Sequence, residues 1–181
     1  MSLLRGDGVA LVRGARLLFE GLDLALAPGE ALHITGPNGS GKSSLIRLVA
    51  GLLRPSAGRI ERAEAALADE GLALDRLVPL SRALAFWNGP RLAEAMTAFD
   101  LDRLADVPVR LLSTGQAKRA RLARVMASGA PLWLLDEPLN GLDRDGRERL
   151  SSAIAGHRAT GGAVLAASHD ALDGEWRDLA L

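Results

Sequence analysis

The chain has 181 residues, 48% hydrophobic and 24% charged, which predicts one globular domain with a substantial core and excludes two ordinary domains. Its 22 basic and 22 acidic residues balance, so a bulk electrostatic attraction to nucleic acid is excluded. The absence of cysteine excludes disulfides and thiolate metal ligands, and no apolar run predicts a signal peptide or a transmembrane helix. We therefore expect a cytosolic protein without a nucleic-acid partner.

The first part of the chain predicts strands and then a strand, loop and helix. The runs 9–12 and 17–26 alternate in polarity around a glycine-containing turn, which predicts an antiparallel β region. The run 31–35 predicts a strand that leads through a glycine-rich turn into a helix over 42–53. One face of this helix is apolar and comprises Leu45, Leu48, Val49 and Leu52.

The second part of the chain predicts helices beside a parallel sheet. Residues 70–112 are rich in alanine, leucine and arginine with proline breaks, which predicts two short helices. The runs 132–136 and 163–168 are short and apolar, as is typical of strands buried on both faces of a parallel sheet. The segment 144–159 between them predicts a crossover helix. These elements together indicate an α/β fold.

The string GPNGSGKS, residues 36–43, matches a phosphate-loop pattern between a predicted strand and a predicted helix. Glycines let successive backbone N–H groups point into one concavity, to which the helix N-terminus adds donors and a positive dipole end. Lys42 can reach terminal phosphate oxygens, and the Ser43 hydroxyl can ligate Mg²⁺ between two phosphates. The pattern predicts a site for ATP and Mg²⁺; a glycine turn that merely caps a helix is the alternative. The predicted binding residues are Gly36, Pro37, Asn38, Gly39, Ser40, Gly41, Lys42, Ser43 and Ser44.

The string LWLLDE, residues 132–137, supplies the carboxylates that a magnesium nucleotide site needs. Ligands of open α/β sheets collect at the carboxyl ends of the strands, where Asp136 and Glu137 stand. Asp136 would orient Mg²⁺ through water, and Glu137 could accept a proton from the attacking water. The alternative is that Asp136 caps the following segment and Glu137 is solvated.

The string LSTGQ, residues 112–116, precedes a helix that is crowded with cations near its N-terminal half, where the helix dipole disfavours them. These cations are Lys118, Arg119, Arg121 and Arg124. An anion docked at that end would explain the crowding. The alternative is a solvated basic face whose arginines bury their stems.

Taken in order, these strings resemble the motifs of ATP-binding subunits of ABC transporters. GPNGSGKS resembles the Walker A loop, LSTGQ the signature motif and LWLLDE the Walker B strand, while residues 140–143 (NGLD) resemble the D-loop and His169 the switch histidine. The resemblance implies one ABC-type domain over 1–181, a P-loop α/β fold with a mostly parallel core sheet, an N-terminal antiparallel β region and a helical subdomain at about 70–128. It also implies ATPase activity.

The resemblance further implies a head-to-tail homodimer in which Ser113 and Gly115 of one subunit face the γ-phosphate held by Lys42 of the other. His169 would then contact this γ-phosphate, and Lys42, Glu137 and His169 would be the catalytic residues. Further nucleotide-binding residues implied by the resemblance are Ser113, Gly115, Gln116 and Asp143.

Within that family, the chain is most similar to the haem exporter ATPases of bacterial cytochrome c maturation, the CcmA family. The similarity lies in LSTGQ with threonine as its third letter, in the basic run that follows, and in APLWLLDEPLNGLD at 130–143. It implies a CcmB-like transmembrane permease as partner, a peripheral position on the cytoplasmic face of the inner membrane, and haem export or haem release to a chaperone. Another cargo, or a regulatory nucleotide-binding module with little turnover, are the alternatives.

The sequence departs from the family pattern at two places. The family places a glutamine between its two subdomains, but Gln116 is the only glutamine in the chain. We align Glu70 with that position, where a carboxylate could hold a Mg²⁺-bound water; an exposed loop residue is the alternative. The chain also has no tyrosine to stack on adenine, and Phe19 is predicted to be in the core, so Arg13 or Arg16 could stack on the base instead.

Overall fold

This computed structural model contains both strands and helices and describes residues 2–69, 74–87 and 89–181. The strands are β1 (Leu4–Arg13), β2 (Arg16–Leu26), β3 (Ala31–Thr35), β4 (Ala57–Arg62), β5 (Ala65–Ala68), β6 (Leu132–Asp136), β7 (Ala163–Ala167) and β8 (Arg177–Ala180). The helices are α1 (Lys42–Val49), α2 (Leu80–Ala85), α3 (Leu92–Ala98), α4 (Thr114–Ala127) and α5 (Arg144–Ala159), with 3₁₀ turns at Asp102–Leu104 and Val109–Leu111.

The strands form two sheets. The larger is a five-stranded parallel sheet in the order β5-β6-β7-β3-β8, and the smaller is a three-stranded antiparallel sheet in the order β2-β1-β4. The predicted α/β fold, with a mostly parallel core sheet and an N-terminal antiparallel β region, is therefore confirmed. The two short helices predicted before the signature string are present as α2 and α3.

The parallel sheet is covered on both faces, which explains the continuous apolar runs of β6 and β7. Leu132 and Leu134 belong to a core shared with α1 and the antiparallel sheet. Trp133 and Leu135, which alternate with them, belong to a second core shared with the helices that follow β5. Because β3, β6 and β7 pair in parallel, their carboxyl ends lie at one edge of the sheet, where the candidate site lies.

Helix α1 is shorter than the sequence pattern predicts. Leu45, Leu48 and Val49 are buried as predicted, but the helix ends at Val49 and Gly51 has a φ of 82°. Only glycine adopts this left-handed conformation readily, so it redirects the chain after the helix. Leu52 is consequently 62% exposed, and its predicted place on the buried face is wrong.

The cations of α4 are held within the molecule rather than by a solvated face. The Lys118 ammonium donates to the backbone oxygen of Glu137 at 2.7 Å, and Arg119 donates to the backbone oxygen of Phe99 at 3.1 Å. Arg124 is buried, donates to a strand β5 carbonyl and lies 4.6 Å from the centre of an indole ring. For these three residues, the solvated face is wrong because tertiary contacts hold the side chains. An anion docked at the start of α4 stays a prediction.

In the part of the chain that the structure describes, no helix has the length and apolarity needed to cross a membrane.

Candidate nucleotide-binding site

The loop between β3 and α1 is shaped as a concavity by its glycines. Gly36, Gly39 and Gly41 have φ values of 141°, 79° and 114°, which side chains rarely adopt. A Cβ on Gly36 would also clash with the Leu181 carbonyl oxygen, and one on Gly41 would lie 3.1 Å from the Phe19 ring. Glycine is therefore favoured at Gly36 and Gly41 by both conformation and space, and at Gly39 by conformation alone.

The concavity contains donors that suit an anion. Lys42 is 7% exposed, and its ammonium donates to the backbone oxygens of Gly36 at 2.8 Å and Pro37 at 3.1 Å. The Ser40 hydroxyl is buried and, within the described residues, has no hydrogen-bond partner. A buried hydroxyl without a partner is costly, and phosphate oxygens are strong acceptors for it. The loop therefore fits a polyphosphate.

The residues predicted to hold Mg²⁺ are adjacent. The Ser43 hydroxyl donates to Asp136 Oδ1 at 2.9 Å, which joins the start of α1 to the end of β6. Burial raises the pKa of Asp136, and the Ser43 hydrogen bond partly opposes this shift. Mg²⁺ binds through one or two protein oxygens and keeps several waters, so a hydroxyl and a carboxylate side by side fit it. Glu70, the other predicted magnesium-binding residue, lies outside the described residues.

Replacing Asp136 by asparagine is expected to raise the melting temperature of the nucleotide-free protein at neutral pH while removing Mg²⁺-dependent hydrolysis. The amide avoids burying a charge. A gain of about 1 kcal/mol in the free energy of unfolding corresponds to about 2–4 °C in melting temperature for a chain of this size. Because the pKa of Asp136 is raised in the folded state, wild-type stability falls as pH rises through the window that begins near the usual aspartate pKa of about 3.9. The rise in melting temperature of the variant over wild type should therefore vanish below about pH 4.

Thermal unfolding from about pH 4 to 8 and phosphate release measure the two effects. The exposed Asp106 provides the matched control, Asp106→Asn, which should change neither. A variant at Asp136 that melts below wild type at neutral pH would show that burial of this carboxylate is compensated.

Glu137 and His169 meet beside the phosphate loop. His169 Nε2 lies 3.4 Å from Glu137 Oε1, and the His169 backbone N–H donates to Glu137 Oε2 at 3.4 Å. Glu137 has a φ of 46°, and its backbone N–H donates to the Ala167 carbonyl at 2.8 Å. A non-glycine residue in this conformation costs about 1–3 kcal/mol, and such strain is concentrated at functional sites.

These groups line one cleft of about 350 Å³. Its lining residues are Arg13, Leu18, Asn38, Gly39, Gly41, Lys42, Ser43, Ser44, Glu137 and His169. Asp136 is linked to this cleft through Ser43. The cleft thus has residues from two sheets. The ends of the parallel strands contribute Glu137 and His169, and the antiparallel sheet contributes Arg13 and Leu18. Sequence reasoning missed Leu18, for which its alternating strand provides no signal.

Comparison with known proteins agrees with this arrangement. The chain is 60% identical over 177 residues to the cytochrome c biogenesis ATP-binding export protein CcmA of Sphingopyxis alaskensis, covering 94% of this chain and 91% of the relative. It is 60% identical over 166 residues to the protein of the same name from Novosphingobium aromaticivorans, covering 91% and 87%. A sequence model of the ABC transporter family matches residues 19–140. The chain belongs to the ABC transporter family and, within it, to the CcmA family.

Solved structures of ABC transporter subunits share the fold. An ATP-binding subunit of an ABC transporter aligns with a TM-score of 0.82 at 23% identity, covering 92% of this chain and 79% of that one. An ABC transporter ATP-binding protein from Pyrococcus furiosus aligns with a TM-score of 0.85 at 19% identity, covering 98% and 96%. Membership of the ABC transporter family implies ATP binding and ATPase activity for this chain.

The predicted signature residues of this ABC ATPase do not line the cleft. Ser113 and Gln116 cap α4: the Ser113 N–H donates to Gln116 Oε1 at 2.9 Å, and the Gln116 N–H donates to Ser113 Oγ at 3.2 Å. A Cβ on Gly115 would lie 3.2 Å from the Gly141 oxygen, so α4 and the D-loop are in close contact. Asp143 caps α5 by accepting from the Gly146 N–H at 2.8 Å. The predicted site residues of one chain therefore lie on two separate surfaces, the cleft and the start of α4.

Proposed function

We propose that this chain is the ATP-hydrolysing subunit of an ABC exporter that moves haem, or releases it to a chaperone, during c-type cytochrome biogenesis. The observation that carries the proposal is the convergence of Lys42, Ser43, Glu137 and His169 on one cleft, in a chain of the CcmA family. The subunit would act at the cytoplasmic face of the inner membrane, bound to a CcmB-like permease. The relatives are named as export proteins of cytochrome c biogenesis, and haem is the group added to the apoprotein of a cytochrome c.

Each polar residue of the cleft has a distinct task in hydrolysis. The Lys42 ammonium would leave the loop carbonyls for the β- and γ-phosphate oxygens, whose negative charge makes them better acceptors. Ser43 and Asp136 would hold Mg²⁺, which when bound offsets the charge that develops on the phosphates. Glu137 would accept the proton of the attacking water, and His169, within 3.4 Å of it, would orient the γ-phosphate.

The position of the signature residues supports a head-to-tail homodimer. Ser113 and Gly115 stand at the start of α4, outside the cleft of their own chain. The start of a helix offers free backbone N–H groups and a positive dipole end to an anion. A second copy related by a two-fold axis would present this helix start to the γ-phosphate and complete both sites at once.

An apolar surface on the helical layer supports a membrane-protein partner. A groove of about 470 Å³ runs along α2 and ends at Phe86 and Trp87, whose rings meet edge to face at 5.8 Å. Phe86 is 81% exposed, and Leu77, which precedes the groove residue Val78 in the chain, is also largely exposed. Large exposed apolar side chains grouped together mark protein contacts. We assign this groove to a cytoplasmic segment of the permease.

The proposal is tested with the chain reconstituted in vesicles with its permease. Haem is expected to raise the rate of phosphate release severalfold in wild type. Phe86→Asp places a charge in the groove, so this variant should bind ATP like wild type but lose both copurification with the permease and the response to haem. A rate that is indifferent to haem, with copurification intact, would favour another cargo.

Leu52→Asp provides the matched control for this experiment. Leu52 is also an exposed large hydrophobic residue, 62% exposed, but it follows α1 and lies outside the groove. Its aspartate variant should copurify with the permease and respond to haem like wild type. Equal losses in both variants would mean that surface charge, and not the groove, governs assembly.

A further inference from the structure

The tip of the β1–β2 hairpin places two arginines beside the phosphate loop. Arg13 and Arg16 are the last cross-strand pair of the hairpin and are joined by Gly14 and Ala15. Both turn residues have positive φ, 55° for Gly14 and 61° for Ala15, as a tight two-residue hairpin turn requires. Directly opposed residues of an antiparallel pair project from the same face of the sheet. The turn therefore places the two arginine side chains at adjacent positions on one face of the sheet.

Both arginines reach the phosphate loop. Arg13 Nη1 lies 3.4 Å from Ser44 Oγ, in the first turn of α1. Arg16 Nη1 lies 3.8 Å from the position that a Cβ on Gly39 would occupy. Arg13 lines the same cleft as Glu137 and His169, the hydrolysis end, but comes from the antiparallel sheet, whereas they come from the ends of the parallel strands. A nucleotide with its γ-phosphate at Glu137 and His169 would present its α-phosphate and base end to the wall of the antiparallel sheet.

No carboxylate of the described residues pairs with either arginine. Like charges directly opposed on a sheet repel, and within residues 2–69, 74–87 and 89–181 neither Arg13 nor Arg16 forms an ion pair. In the same sheet, Arg5 and Arg59 share the carboxylate of Asp7, at 2.9 and 3.1 Å. An anion between Arg13 and Arg16 would relieve their repulsion in the same way.

Base stacking on an aromatic ring is not available at this wall. Phe19 is 9% exposed, and its ring packs against Gly41 underneath the loop. Leu18 is the apolar residue of the antiparallel sheet that lines the cleft, and the chain has no tyrosine. Leu18 can cover one face of a base but does not distinguish one purine from another.

We propose that Arg13, assisted by Arg16, binds the α-phosphate, and that the site selects nucleoside triphosphates by charge with little discrimination between adenine and guanine. A guanidinium has donors only and binds phosphate oxygens bidentately, and these oxygens are the same in ATP and GTP. Where a guanidinium meets a base edge, guanine offers two acceptors, O6 and N7, and adenine one acceptor beside a donor. The arginine pair thus gives adenine no advantage. The inference rests on the proposed ATPase function.

The test is displacement of a fluorescent ATP analogue by ATP and by GTP at fixed ionic strength. In wild type, the two affinities should agree within about threefold, and Arg13→Ala should weaken both by about tenfold, the effect of one charge-assisted hydrogen bond. Arg16→Ala should weaken both to a smaller extent, and Arg13→Lys should recover part of the loss. In steady state, KM should rise with kcat little changed, because the hydrolysis end is untouched.

Arg103→Ala removes the same charge from an exposed position in a 3₁₀ turn and should bind both nucleotides like wild type. A wild-type preference for ATP over GTP above about tenfold, or an unchanged affinity in Arg13→Ala, would overturn the inference. Should Arg13→Ala fail to fold, an affinity equal to wild type in Arg13→Lys would overturn it. Failure of wild type to bind ATP at all would instead overturn the proposed ATPase function.

Discussion

Glu137→Gln is expected to bind ATP, to hydrolyse it at least about 100-fold more slowly than wild type, and to accumulate as a dimer. Glutamine has the shape of glutamate but does not accept a proton from the attacking water, so general-base catalysis is lost. It also removes a negative charge beside the γ-phosphate, which favours the ATP-bound state. The backbone at this position is strained by its φ of 46° in either form, so the substitution leaves the fold unchanged.

Steady-state phosphate release, ATP titration and size-exclusion chromatography with Mg²⁺-ATP measure these three properties. Glu148→Gln is the matched control, because Glu148 is exposed on α5 and pairs with Arg144 away from the cleft. It should retain the wild-type rate. Wild-type turnover in Glu137→Gln would place the general base elsewhere, and failure to dimerise would contradict the head-to-tail arrangement.

Lys42→Ala is expected to weaken ATP binding by about 100-fold or more. Two charge-assisted hydrogen bonds to phosphate contribute about 3 kcal/mol, and the methyl side chain of alanine replaces neither. In the free protein, the same ammonium binds the carbonyls of Gly36 and Pro37 and would give up these contacts when ATP binds. Their loss in the variant therefore offsets a part of the lost affinity, and the charge-assisted bonds to phosphate decide the direction.

Fluorescence titration measures the affinity, and thermal unfolding shows whether the variant is folded. Arg54→Ala, which removes a cation from an exposed position after α1, should bind ATP like wild type. Tight ATP binding by a folded Lys42→Ala variant would refute the assignment of this loop to the phosphates.

The elements closest to the site were the most predictable from the sequence. β3 and α5 have the predicted bounds 31–35 and 144–159, because a glycine or proline break marks their ends and burial on the sheet enforces their apolar pattern. β4 and β8 were not predicted. β4 is exposed at most positions and is held mainly by pairing with β1, and β8 is a four-residue edge strand beside β3. Neither has the apolar pattern that sequence reasoning uses.

The site was predicted as a set of residues, but not as a division between two surfaces. Motif spacing identifies Lys42 and Glu137, whose backbone positions follow from the strand ends. It does not show that Ser113 and Gln116 use their side chains to cap α4, or that Arg119 ends at the carbonyl of Phe99. Tertiary contacts of this kind depend on residues that are far away in the chain, and hydrophobic periodicity contains no information about them.

In the proposed dimer, the hydrogen bond from Lys118 to the backbone of Glu137 would make α4 a mechanical link between the two nucleotides. α4 begins at the residues that would touch the partner's ATP, and Lys118 stands in its second turn. A helix is stiff over so short a distance, so a shift of its first turn would be transmitted to the strained backbone of Glu137, the proposed general base. Each subunit would thus sense through this lysine whether its partner is loaded, and the two hydrolysis events would be cooperative.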